Sequence, residues 1–220
     1  MPRATAILEF WFGSLDARGL LTDPGIERRW FTADEQLDNE IRARFEADLR
    51  NAAAGRLQRW VREPRRALAL TILCDQFPRN MYRGTPRAFL FDERARHACE
   101  EALRLGHDAH LWPVEQMFLL MPLQHAEDLD CQNESARRLT ALVDAAPPEQ
   151  ASTLEEALRF AEDHRRVVER FGRFPHRNEV LGRESTPDER AFLASGAASW
   201  GQTPSQNAAA TPASDPESQD

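Results

Sequence analysis

The chain has 220 residues, of which 41% are hydrophobic and 29% are charged, and its formal net charge at pH 7 is −8. This composition is typical of a globular protein that is long enough for one well-buried core, and the negative charge argues against a nucleic-acid partner. All 28 basic residues are arginine, which excludes chemistry that needs a lysine, such as Schiff-base formation.

The cysteines and the N-terminus indicate a cytoplasmic protein without membrane contact. Cys74, Cys99 and Cys131 are odd in number and far apart, so they fit neither a disulfide framework nor a zinc site. The N-terminal apolar run is too short for a signal peptide and is interrupted by Glu9. No window approaches the roughly 20 apolar residues that a membrane span requires.

The apolar residues of the first half recur with the period of a helix. This pattern predicts a short helix over residues 6–12. A capping box of Thr32 and Glu35 is expected to open a second helix, which stops at Gly55. A third helix is expected from Pro64 to Phe77, where the next residue is again a proline, and a fourth from residue 86 to residue 106.

The second half continues the helical pattern. A helix is expected to begin at residue 113, to kink or break at Pro122, and to be followed by another over residues 125–144. A capping box of Ser152 and Glu155 predicts a helix that ends at Gly172, and Thr186 predicts a last one that ends near residue 196. No segment alternates like a strand.

The predicted fold is therefore all-α. We expect residues 1–200 to form a single domain, an array of antiparallel helix pairs with mostly short connections. Residues 201–220 are rich in Ala, Pro and Ser, carry acidic residues and lack an apolar anchor. They are predicted to be a disordered tail.

Two segments of the chain share one pattern. Residues 77–90 read FPRNMYRGTPRAFL, and residues 174–193 read FPHRNEVLGRESTPDERAFL. In both, the first proline is expected to end a helix, and the Thr-Pro pair to open the next. Arg79 and Arg177 are expected to bind carbonyl groups at the end of the preceding helix. In a purely structural interpretation these arginines only hold their own loops, and no site exists.

Polar side chains concentrate in these two segments and next to Pro122. If the three regions meet, several guanidinium groups face two or three imidazoles. Arginine suits carboxylate or phosphate groups, and histidine suits proton transfer. We therefore predict a pocket for a small anionic ligand, with His125 and His176 as candidate catalytic acid–base residues. The candidate ligand-binding residues are Asp75, Gln76, Arg79, Asn80, Arg83, Glu127, His164, Arg173, Arg177 and Asn178.

No motif indicates a cofactor or a metal ion. The patterns HExxH, GxSxG and GxGxxG and the phosphate-binding P-loop do not occur. His107 and His110 form an H-x-x-H pair, but the pair follows a glycine and is expected to be a surface turn. We expect neither a cofactor nor a metal site.

Five motifs in order resemble a known family. The segments EFWFG, RWF, DQFPRN with RGTPRAFLFD, MPLQHAED and FGRFPHRNEVLGREST are similar to an uncharacterised bacterial family, domain of unknown function 924. The resemblance covers about residue 6 to residue 200. It implies an all-helical fold similar to tetratricopeptide-repeat proteins, and it implies no established activity. Such a fold keeps an alternative open, a scaffold that binds a peptide or protein partner without catalysis.

Overall fold

The structure, a computed structural model, describes residues 3–196. Within this range the chain forms nine α-helices and no β-strand, which confirms the predicted all-α fold. The tetratricopeptide-like arrangement stays a prediction, and the predicted disordered tail lies outside the described residues. The helices are α1 (Arg3–Phe12), α2 (Gly25–Phe31), α3 (Glu35–Ala53), α4 (Pro64–Met81), α5 (Asp92–Arg104), α6 (Pro113–His125), α7 (Leu129–Asp144), α8 (Pro148–Phe171) and α9 (Pro187–Ala194).

Helix α4 lies at the centre of the fold. It packs against α1, α3, α5 and α6, and every residue from Ala67 to Met81 is buried. Helix α6 packs against α4, α5, α7 and α8, and it is buried from Met117 to Gln124. Because both helices are covered on all sides, the polar residues in their C-terminal halves must find partners inside the protein.

An aromatic cluster fills the core around α4. Phe77 lies 4.8 Å from Phe45 of α3, measured between ring centroids. On the other side Trp30 of α2 lies 4.6 Å from Phe118 of α6 in an edge-to-face contact. The Trp30 indole also donates a hydrogen bond of 2.8 Å to the carbonyl of Trp11. These contacts hold the short helix α2 against the core, although its pattern was not predicted as a separate helix.

Two of the predicted capping boxes are wrong. Helix α3 is capped by Asp34, whose carboxylate accepts from the backbone N–H groups of Gln36 and Leu37, rather than by Thr32. Helix α8 begins at Pro148, so Ser152 and Glu155 lie inside it. The cap at Asp34 starts α3 later than Thr32 would have done. Pro148, at the first position of α8, starts that helix earlier than Ser152 would have done. The Thr186 box is confirmed at the start of α9.

Pro78 and Pro86 act differently from the prediction, and Pro122 does not break its helix. Pro78 lies inside α4, which continues to Met81, and Pro122 lies inside α6, which continues to His125. A proline keeps a helical φ and removes one backbone hydrogen bond, so a helix buried on both sides of it can continue. Pro86 opens a 3-10 turn over Pro86–Phe89, and helix α5 starts only at Asp92.

A smaller apolar cluster lies at the end of α8. It is formed by Val167, Val168 and Phe174, with Phe171 and Phe192 packed against it. The left-handed backbone at Gly172, with a φ of 69°, ends α8 as predicted and directs the following loop back over the helix. Within residues 3–196 no helix is long and apolar enough to cross a membrane.

Candidate functional site

A cavity of about 490 Å³ opens between helices α2, α4, α6 and α8. One part of its lining is polar and comes from the C-terminal halves of α4 and α6 together with α8. The other part is apolar and comes mainly from α2, α6 and α8. We call the polar residues from these helices the floor; they are Gln76, Arg79, Asn80, Gln124, His125 and His164. The lining also contains the charged side chains of Glu27, Arg28, Arg83 and Glu156. The apolar part, the wall, includes Trp30, Phe31, Met117, Met121 and Phe160.

A buried carboxylate lies directly beneath the floor. Asp75 is fully buried, and His125 Nδ1 lies 2.8 Å from its Oδ1 and 3.0 Å from its Oδ2. The Gln76 side chain donates to Asp75 Oδ2 at 2.5 Å, and Arg79 Nη1 lies 3.3 Å from Oδ1. A buried charge with this many partners is satisfied, so the carboxylate can hold its neighbours in fixed orientations.

The protonation states of this pair follow from their surroundings. Burial alone would raise the pKa of Asp75, but Arg79, His125 and Gln76 lower it to about 2. Burial, and then the nearby Arg79, lower the pKa of His125, although Asp75 opposes both. At pH 7 the carboxylate is therefore ionised and the imidazole neutral. Since a carboxylate only accepts, Nδ1 carries the imidazole proton and Nε2 keeps its lone pair.

A second carboxylate, which is partly buried, joins the two repeated segments. Asp92, at the start of α5, accepts two hydrogen bonds from Arg79, at 2.8 and 2.9 Å. Arg177 Nη1 lies 3.4 Å from the same carboxylate, and its guanidinium lies over the rings of Phe89 and Phe174, at 4.7 and 4.5 Å. Burial lowers the pKa of Arg177 to about 10, so it stays a cation at neutral pH.

A third carboxylate holds the outer end of α4. Asp38 of α3 accepts from the Asn80 amide at 2.7 Å and from Arg83 at 3.0 and 3.1 Å. The charge of Arg83 is thus paired inside the protein, as is that of Arg79. Arg28 on α2 differs, because it is exposed at the cavity and forms no ion pair within residues 3–196.

Two further histidines lie behind His125. The rings of His125 and His164 are 6.0 Å apart, and His164 Nδ1 donates to the carbonyl of Phe160 at 2.7 Å. Burial, and then His125, lower the pKa of His164 to about 3. Burial, and then Arg177, lower that of His176 to about 3 as well. All three imidazoles are therefore neutral at pH 7.

The remaining predicted residues fasten the loop between α8 and α9. Glu127 accepts from Arg183 at 2.6 and 2.9 Å and from the backbone N–H of Phe174 at 2.8 Å. Arg173 donates to Glu189 at 2.6 and 2.8 Å. The Asn178 amide donates to Glu189 at 3.2 Å. These contacts connect the loop to Glu127 and to α9, whereas Arg177, which was expected to bind carbonyl groups of the preceding helix, contacts Asp92 of α5.

The structure therefore divides the predicted site residues into two groups. Gln76, Arg79, Asn80, Arg83, His125 and His164 line the cavity. Asp75 lies beneath the floor, and a second group lies away from the cavity and includes the candidate catalytic residue His176. The members of this second group are Glu127, Arg173, His176, Arg177 and Asn178.

Several residues that shape the cavity were missed in the sequence. Asp92 stands at the end of the RGTPRAFLFD motif and could have been found there, because it is the acid of that motif. Arg28, Trp30 and Phe31 belong to a short segment without a clear helical period, and its RWF motif indicated the family but not a place in a site. Asp38 looked like any exposed acid of an amphipathic helix, since its contact with Asn80 spans 42 residues.

The H-x-x-H pair is not a plain surface turn. His107 is buried, and its Nε2 lies 3.1 Å from the carbonyl of Val61, while His110 is exposed. The 3-10 turn that carries both packs against α4 and α5, which explains the burial of His107. Across residues 3–196 no group of three or more His, Cys, Asp or Glu side chains is placed to hold a metal ion.

Comparisons with known proteins confirm the resemblance that the motifs indicate. A family model described as "Bacterial protein of unknown function (DUF924)" matches residues 7–197. The chain is also similar to the solved structure of the protein of unknown function ATU0120 from Agrobacterium tumefaciens. The identity is 36% and the TM-score 0.75, over 88% of this chain and 98% of that chain. No curated protein matches the chain.

Proposed function

Because the chain belongs to this DUF924 family of bacterial proteins of unknown function, its activity has to be argued from its own geometry, and we propose that the cavity binds a small organic anion. In this proposal His125 accepts a proton from the ligand or from a water molecule beside it. The observation that carries the proposal is the Asp75–His125 pair at the cavity floor, in which an ionised carboxylate holds Nδ1 at 2.8 Å and leaves Nε2 as the accepting nitrogen.

Two arginines are suited to the anionic group. Arg79 uses three of its five N–H donors on Asp75 and Asp92, which leaves Nε–H and one hydrogen on Nη2. Arg28 is exposed at the cavity and forms no ion pair within residues 3–196, although Glu27 and Glu156 line the same cavity. A carboxylate or phosphate on the ligand gains charge-assisted hydrogen bonds from both.

The chemistry that fits this arrangement is base catalysis rather than acid catalysis. The lowered pKa of His125 keeps the imidazole neutral at pH 7, so it can take up a proton but has none to give from Nε2. Asp75 then stabilises the imidazolium that forms, since it is already ionised and lies within hydrogen-bond distance. His176 lies outside the cavity lining and has no direct part in this step.

A binding panel with three variants tests the proposal. Thermal unfolding of the wild type is measured with carboxylates, phosphate esters and nucleotides. A ligand at a hundred times its Kd stabilises the fold by about 2.7 kcal/mol, which is a shift in Tm of about 5–11 °C for a chain of this size. Arg28→Gln is expected to weaken binding about tenfold, since it removes one charged hydrogen bond. His125→Gln is expected to bind but to lose any turnover.

The matched control is Arg62→Gln, because Arg62 is an exposed arginine that does not line the cavity. It should bind like the wild type. If no anion shifts the wild type, or if Arg62→Gln weakens binding as much as Arg28→Gln, the cavity is not the anion site.

A peptide-binding scaffold is the second candidate, and one observation favours it. Phe31 is 61% exposed at the cavity and Phe160 is 36% exposed, so two aromatic side chains face solvent at the same opening. Exposed apolar groups of this kind are common where a partner binds. Binding of peptides with a terminal carboxylate, together with no binding of small acids, would identify the scaffold.

A further inference from the structure

We propose that the ligand of this cavity carries a hydrogen-bond donor, a hydroxyl or an amino group, next to its acidic group. The inference rests on the proposed function and names the class of ligand that the floor accepts. The reason is that carboxylates next to the floor take up donors of Gln76, Asn80 and His125, so that these three residues are left with acceptors for the cavity.

Gln76 shows this most clearly. Its amide nitrogen donates to Asp75 Oδ2 at 2.5 Å and to Met121 Sδ at 3.1 Å, which uses both amide hydrogens. An ionised carboxylate cannot donate, so the nitrogen rather than the oxygen of the amide must face Asp75. The amide oxygen of Gln76 is left for the cavity, and no donor within residues 3–196 reaches it.

His125 is oriented by the same carboxylate. Its Nδ1–H points to Asp75, so the nitrogen on the opposite side of the ring, Nε2, is an acceptor. One buried aspartate thus sets two acceptors, Gln76 Oε1 and His125 Nε2. The imidazole is thus held in the tautomer with its proton on Nδ1, so it accepts at Nε2 and cannot donate there.

Asn80 adds a third acceptor by the same logic. Its amide nitrogen donates to Asp38 Oδ1 at 2.7 Å, which turns its carbonyl oxygen away from that carboxylate. Asn80 and Gln76 both lie on the floor, one turn of α4 apart. A hydroxyl or an ammonium group can donate to these acceptors, and an ammonium group has enough hydrogens for all three.

The cavity wall determines the rest of the ligand. Trp30, Phe31 and Phe160 offer aromatic faces to an apolar group. An acid that lacks the donor leaves the acceptors dehydrated and unpaired, which costs about ten- to a hundredfold in affinity for each acceptor. The ligand class is therefore a hydroxy acid or an amino acid with an apolar side group.

The first test needs no ligand. In ¹⁵N NMR spectra of the full chain, His125 is expected to be protonated on Nδ1 and unprotonated on Nε2 at pH 7. A His125→Gln variant identifies its signals, and the exposed His110 serves as the internal reference. In Asp75→Asn the new amide donates to Nδ1, and the proton is expected to move to Nε2. A wild-type His125 that carries its proton on Nε2 overturns the inference, whatever Asp75→Asn does.

The second test compares acids that differ only in the donor. In the aromatic series mandelate and phenylglycine have the donor, and phenylacetate and O-methylmandelate lack it. In the aliphatic series lactate and alanine have the donor, and propionate and 2-methoxypropionate lack it. Mandelate or phenylglycine is expected to bind at least tenfold more tightly than both aromatic acids without the donor. The hydroxyl and amino arms show which donor the site prefers.

The outcomes separate this inference from the proposed function. Similar affinities for the acids with and without the donor overturn the inference but leave the anion site intact. No binding of any acid in either series rejects the proposed function and this inference together.

Discussion

The carboxylate of Asp92 is the point where the two repeated segments meet, so its removal tests whether they hold the fold together. Asp92 accepts two hydrogen bonds from Arg79, and it lies 3.4 Å from Arg177. Arg177 is only 6% exposed. Asp92→Asn keeps the size of the side chain and removes its charge. It leaves two buried guanidinium groups with Asp75 as the remaining carboxylate near Arg79.

The expected cost is large for a single substitution. Removal of one partner from a buried ion pair destabilises a protein by about 3–5 kcal/mol, because the other charge stays buried without compensation. The Asn amide oxygen still accepts one hydrogen bond, so we expect the lower end, about 3 kcal/mol. For a chain of this size that is a loss of about 6–12 °C in Tm.

Urea unfolding of the wild type and the variant, followed by circular dichroism, measures this cost. Asp163→Asn is the matched control, because Asp163 pairs with Arg166 at 2.6 Å on the exposed side of α8. Exposed pairs contribute about 0–1 kcal/mol, so the control should hardly change the free energy of unfolding. Equal and small losses in both variants would refute the argument that Asp92 joins the two segments.

A double-mutant cycle with Arg177→Met makes the test more specific. If Asp92 stabilises Arg177, the two substitutions are coupled by about 1–3 kcal/mol. If the stacking of Arg177 on Phe89 and Phe174 holds it alone, the coupling is zero, and the assignment of Asp92 as its partner is wrong.

Three further predictions concern other parts of the fold. The pKa of His164, about 3 against an ordinary value of about 6.5, means that below pH 6.5 the unfolded chain binds a proton that the native protein does not. The contribution of His164 to stability is therefore complete above pH 6.5 and is lost by about 1.4 kcal/mol per pH unit toward pH 3. His176, whose pKa is also about 3, adds a loss in the same direction, so the stability of His164→Gln in urea titrations should still fall with pH, but with a slope smaller by about 1.4 kcal/mol per pH unit. Thr186→Ala removes the capping box of α9 and should lower the free energy of unfolding by about 1 kcal/mol. The control Thr140→Ala, on the exposed face of α7, should lower it by less than about 0.5 kcal/mol, the usual limit for surface substitutions. Burial raises the pKa of Cys74 to about 12 and that of Cys99 well above its ordinary value. Neither thiol should therefore react with Ellman's reagent in the native protein, and both should react in urea. Fast native labelling of more than the one partly exposed thiol, Cys131, would contradict the burial of the other two.

The sequence pattern was most reliable where a helix has one buried face. The predicted helix after residue 32 agrees with α3 because Leu37, Ile41, Phe45 and Leu49 follow the helical period and all are buried. The pattern failed at helix boundaries. Asp34 rather than Thr32 is the N-cap of α3, and Pro78 lies inside a helix that continues past it. Caps and prolines are local signals, and several neighbouring residues can satisfy them equally well.

The candidate site was predictable only in part, for the same reason. Residue type identified Arg79 and His125 as groups that need partners, and both do lie at one cavity. Nothing in the sequence separated them from Arg173 and Asn178, which are also polar but bind Glu189 in the first turn of α9.

The sequence by itself determined the all-α class, the family and the presence of a polar cluster within apolar helices, because composition, helical period and the five motifs of the family are properties of the chain alone. Only the tertiary structure decided which of those polar groups face a cavity. His125 reaches Asp75 across 50 residues and Arg177 reaches Asp92 across 85. Contacts over such separations depend on how the helices pack, and packing decides whether an arginine or a histidine binds a ligand or holds a loop.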